Sequence, residues 1–216
     1  GEARYVGVFD AGGGTTDISV VFVAPRAGRF DVIGTGGDPN LGGIDFDRAL
    51  IDCSILPRLG GRPGNGTGPG EGRRRAELRA ASEAAKIELS DSTVATIRLP
   101  PDGEGHPETI ELGREEFERC VRPLVSRQVA LLEATVRDAG LALADLSEVY
   151  LVGGQAQVPM VQQRLRDVLG HDVTIRNEDP RIAVAMGACV LANSHVETAD
   201  RDRQIRLAEV TPLQLG

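Results

Sequence analysis

The chain has 216 residues, of which 41% are hydrophobic, so it can bury the core of one large domain or of two small ones. Aromatic residues make up only 3% and Trp is absent, which leaves the packing to aliphatic side chains and alanine. The net charge of -8 gives no support to a nucleic-acid-binding surface, and no apolar run approaches the roughly 20 residues of a membrane span.

The three cysteines, Cys53, Cys120 and Cys189, are widely spaced and odd in number. This pattern favours a reducing compartment over a disulfide framework or a zinc site, and we predict that each is a small core residue. The first residues show no signal-peptide pattern, so we expect a cytoplasmic protein. Because Gly1 follows no initiator methionine and strand-like sequence begins by Arg4, we also expect the chain to be excised from a longer one.

The segment from Asp10 to Asp17 reads DAGGGTTD and lies between two runs rich in β-branched and aromatic residues. The flanking runs predict two strands, which makes the glycines a hairpin tip. Glycines permit φ > 0 and leave backbone N–H groups bare, so Gly12, Gly13 and Gly14 could hold a phosphate, with the Thr15 hydroxyl as a further donor. The two aspartates would repel that phosphate unless a divalent cation lay between them. The pattern indicates a Mg-nucleotide site, and the alternative is an ordinary glycine hairpin with solvated aspartates.

After this hairpin, residues 29–34 predict a third antiparallel strand, and residues 44–55 have helical spacing of their apolar positions. The Gly- and Pro-rich segment 57–72 is interpreted as a mobile surface loop, because it cannot bury enough apolar surface to order itself. Residues 73–90 predict a helix, followed by a hairpin of residues 94–99 and 109–112 that covers it.

One face of the predicted helix 73–90 is polar and opposite to its buried stripe. It carries Glu83, Lys86, Ile87 and Ser90. A polar helix face is most often simply solvated, so by itself this face has two readings, a solvated surface or a binding surface.

The C-terminal half alternates helices and strands. Residues 114–139 predict a helix with a break or kink near Arg122, because Pro123 removes a backbone donor. A buried strand at 148–152 ends in Gly153 and Gly154, where backbone is closely approached. A helix at 159–169, a strand at 172–175 and a helix at 181–194 follow, and we expect Gly187 to pack closely against the sheet.

Several segments together resemble the seventy-kilodalton heat-shock chaperones of the actin-like ATPase superfamily. Besides DAGGGTTD they are LGGIDFD at 41–47, ASEAAKIELS at 81–90, LVGGQAQVP at 151–159 and AVAMGA at 183–188. The tail EVTPLQLG at 209–216 is similar to the end of the family's interdomain linker, which separates the chain from actins and sugar kinases.

The resemblance implies lobe II of a chaperone nucleotide-binding domain with an α/β fold. Residues 1–39 and 113–198 would form an RNase H-like (actin-like ATPase) half, residues 40–112 an inserted smaller α+β subdomain, and residues 199–216 a linker-like tail. The expected partners are an upstream lobe I and a downstream substrate-binding domain of the same chain, a co-chaperone and a nucleotide-exchange factor, with neither nucleic acid nor membrane.

The resemblance also assigns residues to ATP or ADP and Mg²⁺. The phosphates would lie at Gly12, Gly13, Gly14 and Thr15, and Asp10 and Asp17 would lie near the Mg²⁺ shell without a direct metal ligand from the protein. The adenosine site would comprise Glu83, Lys86, Ile87, Ser90, Gly153, Gly154, Gln155 and Arg181. Four residues depart from the family: Ile87 and Gln157 replace arginines that flank the base, Gln155 replaces a serine, and Arg181 replaces an acidic residue.

Two hypotheses follow for function. The first is a chaperone-like ATPase lobe that relays nucleotide state through the tail and hydrolyses ATP only with the upstream lobe, which carries the first phosphate loop and the catalytic lysine in the family. The second is a degenerate, non-hydrolysing lobe retained as a scaffold or partner-binding module. The replaced adenine-flanking residues favour the second hypothesis, and the intact glycine loop favours the first.

Overall fold

The computed structural model describes residues 1–59, 71–99, 108–177, 182–196 and 206–208. A six-stranded mixed sheet has the order β7-β6-β1-β2-β3-β8, and a separate antiparallel pair is formed by β4 and β5. The strands are β1 Arg4–Ala11, β2 Thr16–Ala24, β3 Arg29–Asp38, β4 Val94–Leu99, β5 Glu108–Gly113, β6 Leu146–Val152, β7 Thr174–Arg176 and β8 Arg206–Ala208. Strands β1, β2 and β3 are antiparallel neighbours, which confirms the predicted meander, and the pairs β1–β6, β6–β7 and β3–β8 are parallel.

The helices are α1 Gly43–Leu50, α2 Leu56–Arg58, α3 Glu71–Asp91, α4 Arg114–Asp138, α5 Pro159–Leu169 and α6 Ala183–Val196. A π-helical turn, Ile51–Ile55, joins α1 to α2. Of the segment 57–72 predicted as a mobile loop, residues 57 and 58 end α2, residues 71 and 72 begin α3, and residues 60–70 lie outside the described ranges. Within those ranges, no helix is long and apolar enough to cross a bilayer.

Helix α4 packs across β2 and β3 and supplies much of the core. Its buried face includes Phe117, Val121, Val125, Leu132 and Val136. Strand β3 admits the helix closely because it carries glycines there: a Cβ on Gly34 would come within 2.9 Å of the Ala139 side chain. The same hydrophobic cluster continues through α1, α3 and the β4–β5 pair, so the segment inserted between β3 and α4 shares one core with the sheet.

The predicted break near Arg122 is wrong, because α4 runs without interruption from Arg114 to Asp138. Pro123 and Arg122 lie on the exposed face of the helix, as does Arg119, whose carbonyl loses its helical partner. Water can satisfy that carbonyl on the exposed side, which removes much of the cost of an interior proline.

The prediction against a disulfide is wrong, and of the three cysteines only Cys120 is the buried core residue that was predicted. A disulfide joins Cys53 to Cys120, whose Cα atoms are 5.7 Å apart, and Cys189 is exposed. Cys53 lies in the π-helical turn and Cys120 in α4, 67 positions apart. Their spacing in the sequence could not predict that the fold brings these two elements together. Ser54 donates to Glu116 across the same contact, at 2.7 Å. The disulfide removes the ground for expecting a reducing compartment.

Helix α6 is apolar but exposed. Val184, Met186 and Val190 are 67%, 55% and 54% exposed, and a Cβ on Gly187 would meet no heavy atom within 4 Å. The expectation that Gly187 packs against the sheet is therefore wrong. The predicted pattern of small and apolar residues identified the helix, but most of its described apolar side chains are exposed.

Candidate functional site

The glycine tip connects β1 to β2 and exposes its backbone. Asp10 pairs with Asp17 and Ala11 with Thr16, so Gly12 to Thr15 form the turn, and Gly12 N–H donates to the Thr15 carbonyl at 2.9 Å. Gly13 and Gly14 are exposed, a Cβ on either would meet nothing within 4 Å, and neither N–H has a partner within the described part of the chain. Neither glycine adopts positive φ, so what the glycines provide is free amide donors and open space for a ligand.

The inserted segment is bonded directly to this tip. Gly43 N–H donates to the Gly12 carbonyl at 3.0 Å, and Ile44 N–H donates to the Gly13 carbonyl at 2.8 Å. A Cβ on Gly42 would lie 2.5 Å from the Gly14 carbonyl carbon, so only glycine allows this approach. The first turn of α1 is thereby fixed against the glycine tip, and Asp45 supports the turn by accepting the Gly42 N–H at 2.9 Å.

Two aspartates flank the tip at the ends of β1 and β2. Burial, followed by the nearby carboxylate of Asp17, raises the pKa of Asp10 above its ordinary range. The Thr15 hydroxyl donates to Asp17 at 2.8 Å, so in this structure it is engaged by the carboxylate. A cation beside these carboxylates would relieve their mutual repulsion, which fits Mg²⁺ held largely by phosphate and water oxygens. Within the described ranges, no group of three or more His, Cys, Asp or Glu side chains could hold a metal ion by itself.

A cavity of about 170 Å³ opens beside the tip. Ten residues line it: Gly12, Gly13, Gly43, Glu83, Lys86, Ile87, Ser90, Gly154, Gln155 and Val158. Three elements therefore meet here, namely the glycine tip, the predicted polar face of α3 and the turn after β6. Glu83 and Ile87 are exposed on this face, with Ile87 60% exposed, whereas Lys86 is buried and Ser90 is half-buried.

Lys86 is held at the bottom of this cavity by two partners. Its Nζ lies 2.8 Å from Asp47 Oδ1 and donates to the Gly43 carbonyl at 3.0 Å. Burial raises the pKa of Asp47, and the hydrogen bond and positive charge of Lys86 oppose that rise. Asp47 lies in the family-like segment 41–47, and the sequence alone indicated no role for it. The sequence did contain a sign of its role, because Asp47 lies on the same side of α1 as the buried residues Phe46 and Leu50. An acidic side chain on a buried helix face needs a cationic partner.

The turn after β6 passes beneath the end of β1. Gly153 has φ of 83°, and a Cβ there would overlap the Ala11 carbonyl oxygen, so this position requires glycine for both conformation and space. Gln155 follows in a 3-10 turn and is 4% exposed, with neither carboxamide atom paired among the described residues. Gln157 instead exchanges two hydrogen bonds with Asn177, at 2.8 and 3.2 Å, and does not line the cavity.

The structure thus brings together most of the residues singled out from the sequence, from three separate parts of the chain. Gly153 supports the cavity from behind, and Asp10, Asp17, Gly14 and Thr15 surround the tip beside it. Arg181 lies outside the described residues, so its predicted place at the edge of the site is not described.

A family model described as Hsp70 protein matches residues 1–216. The chain belongs to the Hsp70 family. The mixed sheet with its flanking helices fits the actin-like ATPase fold of Hsp70 proteins. Membership makes the chain part of a nucleotide-binding chaperone ATPase, and Hsp70 domains bind ATP or ADP, generally with Mg²⁺. The free amides of Gly13 and Gly14, the first of which borders the cavity, are suited to such a ligand.

Proposed function

We propose that this chain is the second lobe of an Hsp70 nucleotide-binding domain and that it holds the phosphates of Mg-ATP or Mg-ADP at Gly12, Gly13, Gly14 and Thr15. The observation that carries the proposal is the pair of exposed, unbonded amides at Gly13 and Gly14. Gly13 also borders the cavity that is lined by the polar face of α3. Backbone N–H groups in this arrangement favour a bound anion.

The adenosine end of the ligand is assigned to the rest of the cavity. Polar groups come from Glu83, Lys86, Ser90 and Gln155, and an exposed apolar surface comes from Ile87. Because Gly153 and Gly154 have no side chains, they leave room for the ligand next to their backbone. Arg181 is proposed at the outer edge. When Mg²⁺ is bound it neutralises phosphate charge, and Asp10 and Asp17 are placed to accept hydrogen bonds from its water shell.

Hydrolysis is proposed to require an upstream lobe of the same chain. Phosphoryl transfer depends on positioning and charge neutralisation from several sides, and the residues described here supply one wall of a cleft. The exposed apolar residues of α6, among them Val184 and Met186, support a further protein surface that covers this helix. We therefore expect residues 1–216 alone to bind nucleotide and not to hydrolyse it.

The route to a downstream substrate-binding domain is proposed to begin at β8. Residues 206–208 pair in parallel with residues 29–31 of β3, and the other end of β3 pairs Asp38 with Thr16 at the glycine tip. One strand thus connects the tail to the phosphate site.

The proposed functional units remain the RNase H-like half of residues 1–39 and 113–198, the insert 40–112 and the tail 199–216. The proposed partners include an exchange factor and a co-chaperone. A cytoplasmic location stays a prediction from the sequence, and the Cys53–Cys120 disulfide does not support it.

A second candidate function is a degenerate lobe that serves as a scaffold. It is favoured by the base-facing side of the cavity, where Ile87 presents an apolar side chain and Gln157 is turned toward Asn177. Neither supplies the cation that would stack on a base, and a lost cation–π contact costs on the order of 2 kcal/mol when desolvated.

Calorimetric titration of Mg-ATP and Mg-ADP into the full-length protein separates the two functions. The nucleotide-binding proposal expects saturable heat below millimolar nucleotide, and Gly13→Ala is expected to weaken binding about tenfold, because its methyl group would occupy the open space at the amides. Gly113→Ala is the matched control, since a Cβ there also meets nothing within 4 Å and lies outside the cavity lining. No heat at millimolar nucleotide would leave the scaffold as the function.

A further inference from the structure

Gln155 has a buried carboxamide that the protein leaves without a partner. The side chain is 4% exposed, it borders the cavity, and neither its Oε1 nor its Nε2 forms a hydrogen bond with any described residue. A buried polar group left in this state destabilises the folded protein relative to a bonded one. Almost all buried amides in proteins are paired, so an unpaired one is unusual. It is expected in a ligand-free binding site, where the ligand supplies the missing partner.

The surroundings of Gln155 define what that ligand group would meet. A Cβ built on Gly43 would lie 3.1 Å from Gln155 Oε1 and 3.0 Å from Lys86 Nζ, so both polar atoms border the same small volume above a residue without a side chain. Glu83, one turn before Lys86 on α3, lines the same cavity. The small volume therefore offers a donor from Lys86 and both kinds of group from Gln155, and the cavity around it offers an acceptor from Glu83.

The chemistry of these three side chains selects among the parts of a nucleotide. A phosphate would be repelled by the Glu83 carboxylate and has its own amide donors at Gly13 and Gly14. An apolar group would leave the Gln155 carboxamide unpaired. A hydroxyl group both donates and accepts hydrogen bonds. Neighbouring hydroxyls on a sugar could therefore bind the Lys86 donor, the Glu83 acceptor and the Gln155 carboxamide in the same cavity.

We propose that Gln155 is a specificity-determining residue that recognises a ribose hydroxyl of the bound nucleotide. This inference rests on the proposed nucleotide-binding function and adds the part of the ligand that Gln155 contacts. A site whose buried polar group is satisfied by a substrate hydroxyl rejects the analogue that lacks it, because the group is then left unpaired.

The test compares Mg-ADP, Mg-2′-deoxy-ADP and Mg-3′-deoxy-ADP by calorimetry in the full-length protein and in its Gln155→Met variant, which keeps the shape of the side chain and removes the amide. We expect the wild type to bind ADP about tenfold or more tightly than at least one of the deoxy analogues. Gln155→Met is expected to weaken ADP about tenfold and to change the affinity for that analogue by less than about twofold. Gln163→Met, an exposed glutamine on α5, is the matched control.

If Gln155→Met lowered the affinity for all three ligands equally, the inference would be overturned, because the residue would then have a packing role. Unchanged affinity for all three ligands would overturn it as well. Wild-type binding that does not distinguish ADP from either deoxy analogue overturns it without any variant, so the test does not depend on how Gln155→Met folds. A wild type that binds ADP but fails this comparison contradicts only the role of Gln155. A wild type that binds none of the three contradicts the proposed function itself.

Discussion

Gly42 and Gly14 meet backbone to backbone: a Cβ on Gly42 would lie 2.5 Å from the carbonyl carbon and 2.6 Å from the nitrogen of Gly14. This approach holds the inserted segment against the glycine tip, because Gly43 and Ile44 can then donate to the carbonyls of Gly12 and Gly13. The geometry of the phosphate site and the position of α1 are therefore coupled through direct backbone contacts.

Gly42→Ala should separate the two segments. Because the added methyl group meets backbone that cannot rotate aside, we expect a loss of about 1–3 kcal/mol in the free energy of unfolding and weaker binding of Mg-ADP. Urea denaturation and calorimetry measure the two effects. Gly113→Ala is the matched control, because Gly113 is also a helix N-cap but its added methyl group meets open space. It should lose only the N-cap preference for glycine, about 1 kcal/mol or less, and leave binding unchanged. A Gly42→Ala protein as stable as Gly113→Ala would show that the contact is dispensable.

The buried pair of Lys86 and Asp47 should be far more important for stability than an exposed pair on the same helix. Asp47→Ala leaves the Lys86 ammonium buried without its counter-charge, and we expect a loss of about 3 kcal/mol in the free energy of unfolding. The double variant with Lys86→Met should recover part of that loss. Glu77→Ala, which breaks the exposed pair with Arg73, is the control and should cost far less, because water screens that pair. Equal losses in the two single variants would contradict this account.

Asp10 should make the stability of the ligand-free protein depend on pH. Burial and the nearby Asp17 raise the pKa of Asp10 in the folded protein, so its contribution to stability is fully present below the ordinary value of 3.8 and is lost as pH rises through the folded pKa. Asp10→Asn cannot ionise, so we expect it to raise the free energy of unfolding at pH 7 and to have little effect near pH 3.

Urea denaturation across pH, without nucleotide, measures this effect, and Asp138→Asn on the exposed end of α4 is the control. The same Asp10→Asn variant should lose part of the Mg²⁺ dependence of nucleotide binding, because a neutral amide attracts the hydrated cation less. A destabilised Asp10→Asn protein at pH 7 would contradict the raised pKa.

Reduction of the disulfide should destabilise the protein. Cys53 and Cys120 close a loop with a sequence separation of 67, and the chain-entropy model assigns such a loop about 4 kcal/mol. We expect dithiothreitol to lower the urea midpoint of the wild type and to leave the double variant Cys53→Ser/Cys120→Ser unchanged. Cys189→Ser should still respond like the wild type, since Cys189 is unpaired. A wild type insensitive to the reductant would contradict the disulfide.

The sequence was sufficient to predict the parts of the fold that depend on local pattern. The β1–β2 hairpin, the meander, α3 and the strand just before Gly153 follow from β-branched runs, glycine positions and helical spacing. These elements locate the glycine tip and the polar face of α3. Their meeting in one cavity was inferred from family resemblance, since no periodicity joins residues 12 and 86.

What the sequence could not show depends on distance in space. The Cys53–Cys120 bond and the burial of Asp47 with Lys86 arise from the way α1 and the π-helical turn pack beside α3 and α4. The uninterrupted α4 depends on which side of the helix Pro123 faces. The prediction that Gly187 packs against the sheet failed because a pattern of apolar residues indicates a helix with an apolar face. The pattern does not indicate which part of the protein packs against that face.

The central claim is that the amides of Gly13 and Gly14 bind the phosphates, and the most direct test follows their amide proton and nitrogen NMR signals as Mg-ADP is added to the full-length protein. The account predicts large, saturable downfield shifts of these two signals, which stay absent when adenosine replaces ADP. Calorimetric binding of Mg-ADP with both signals unmoved would contradict it.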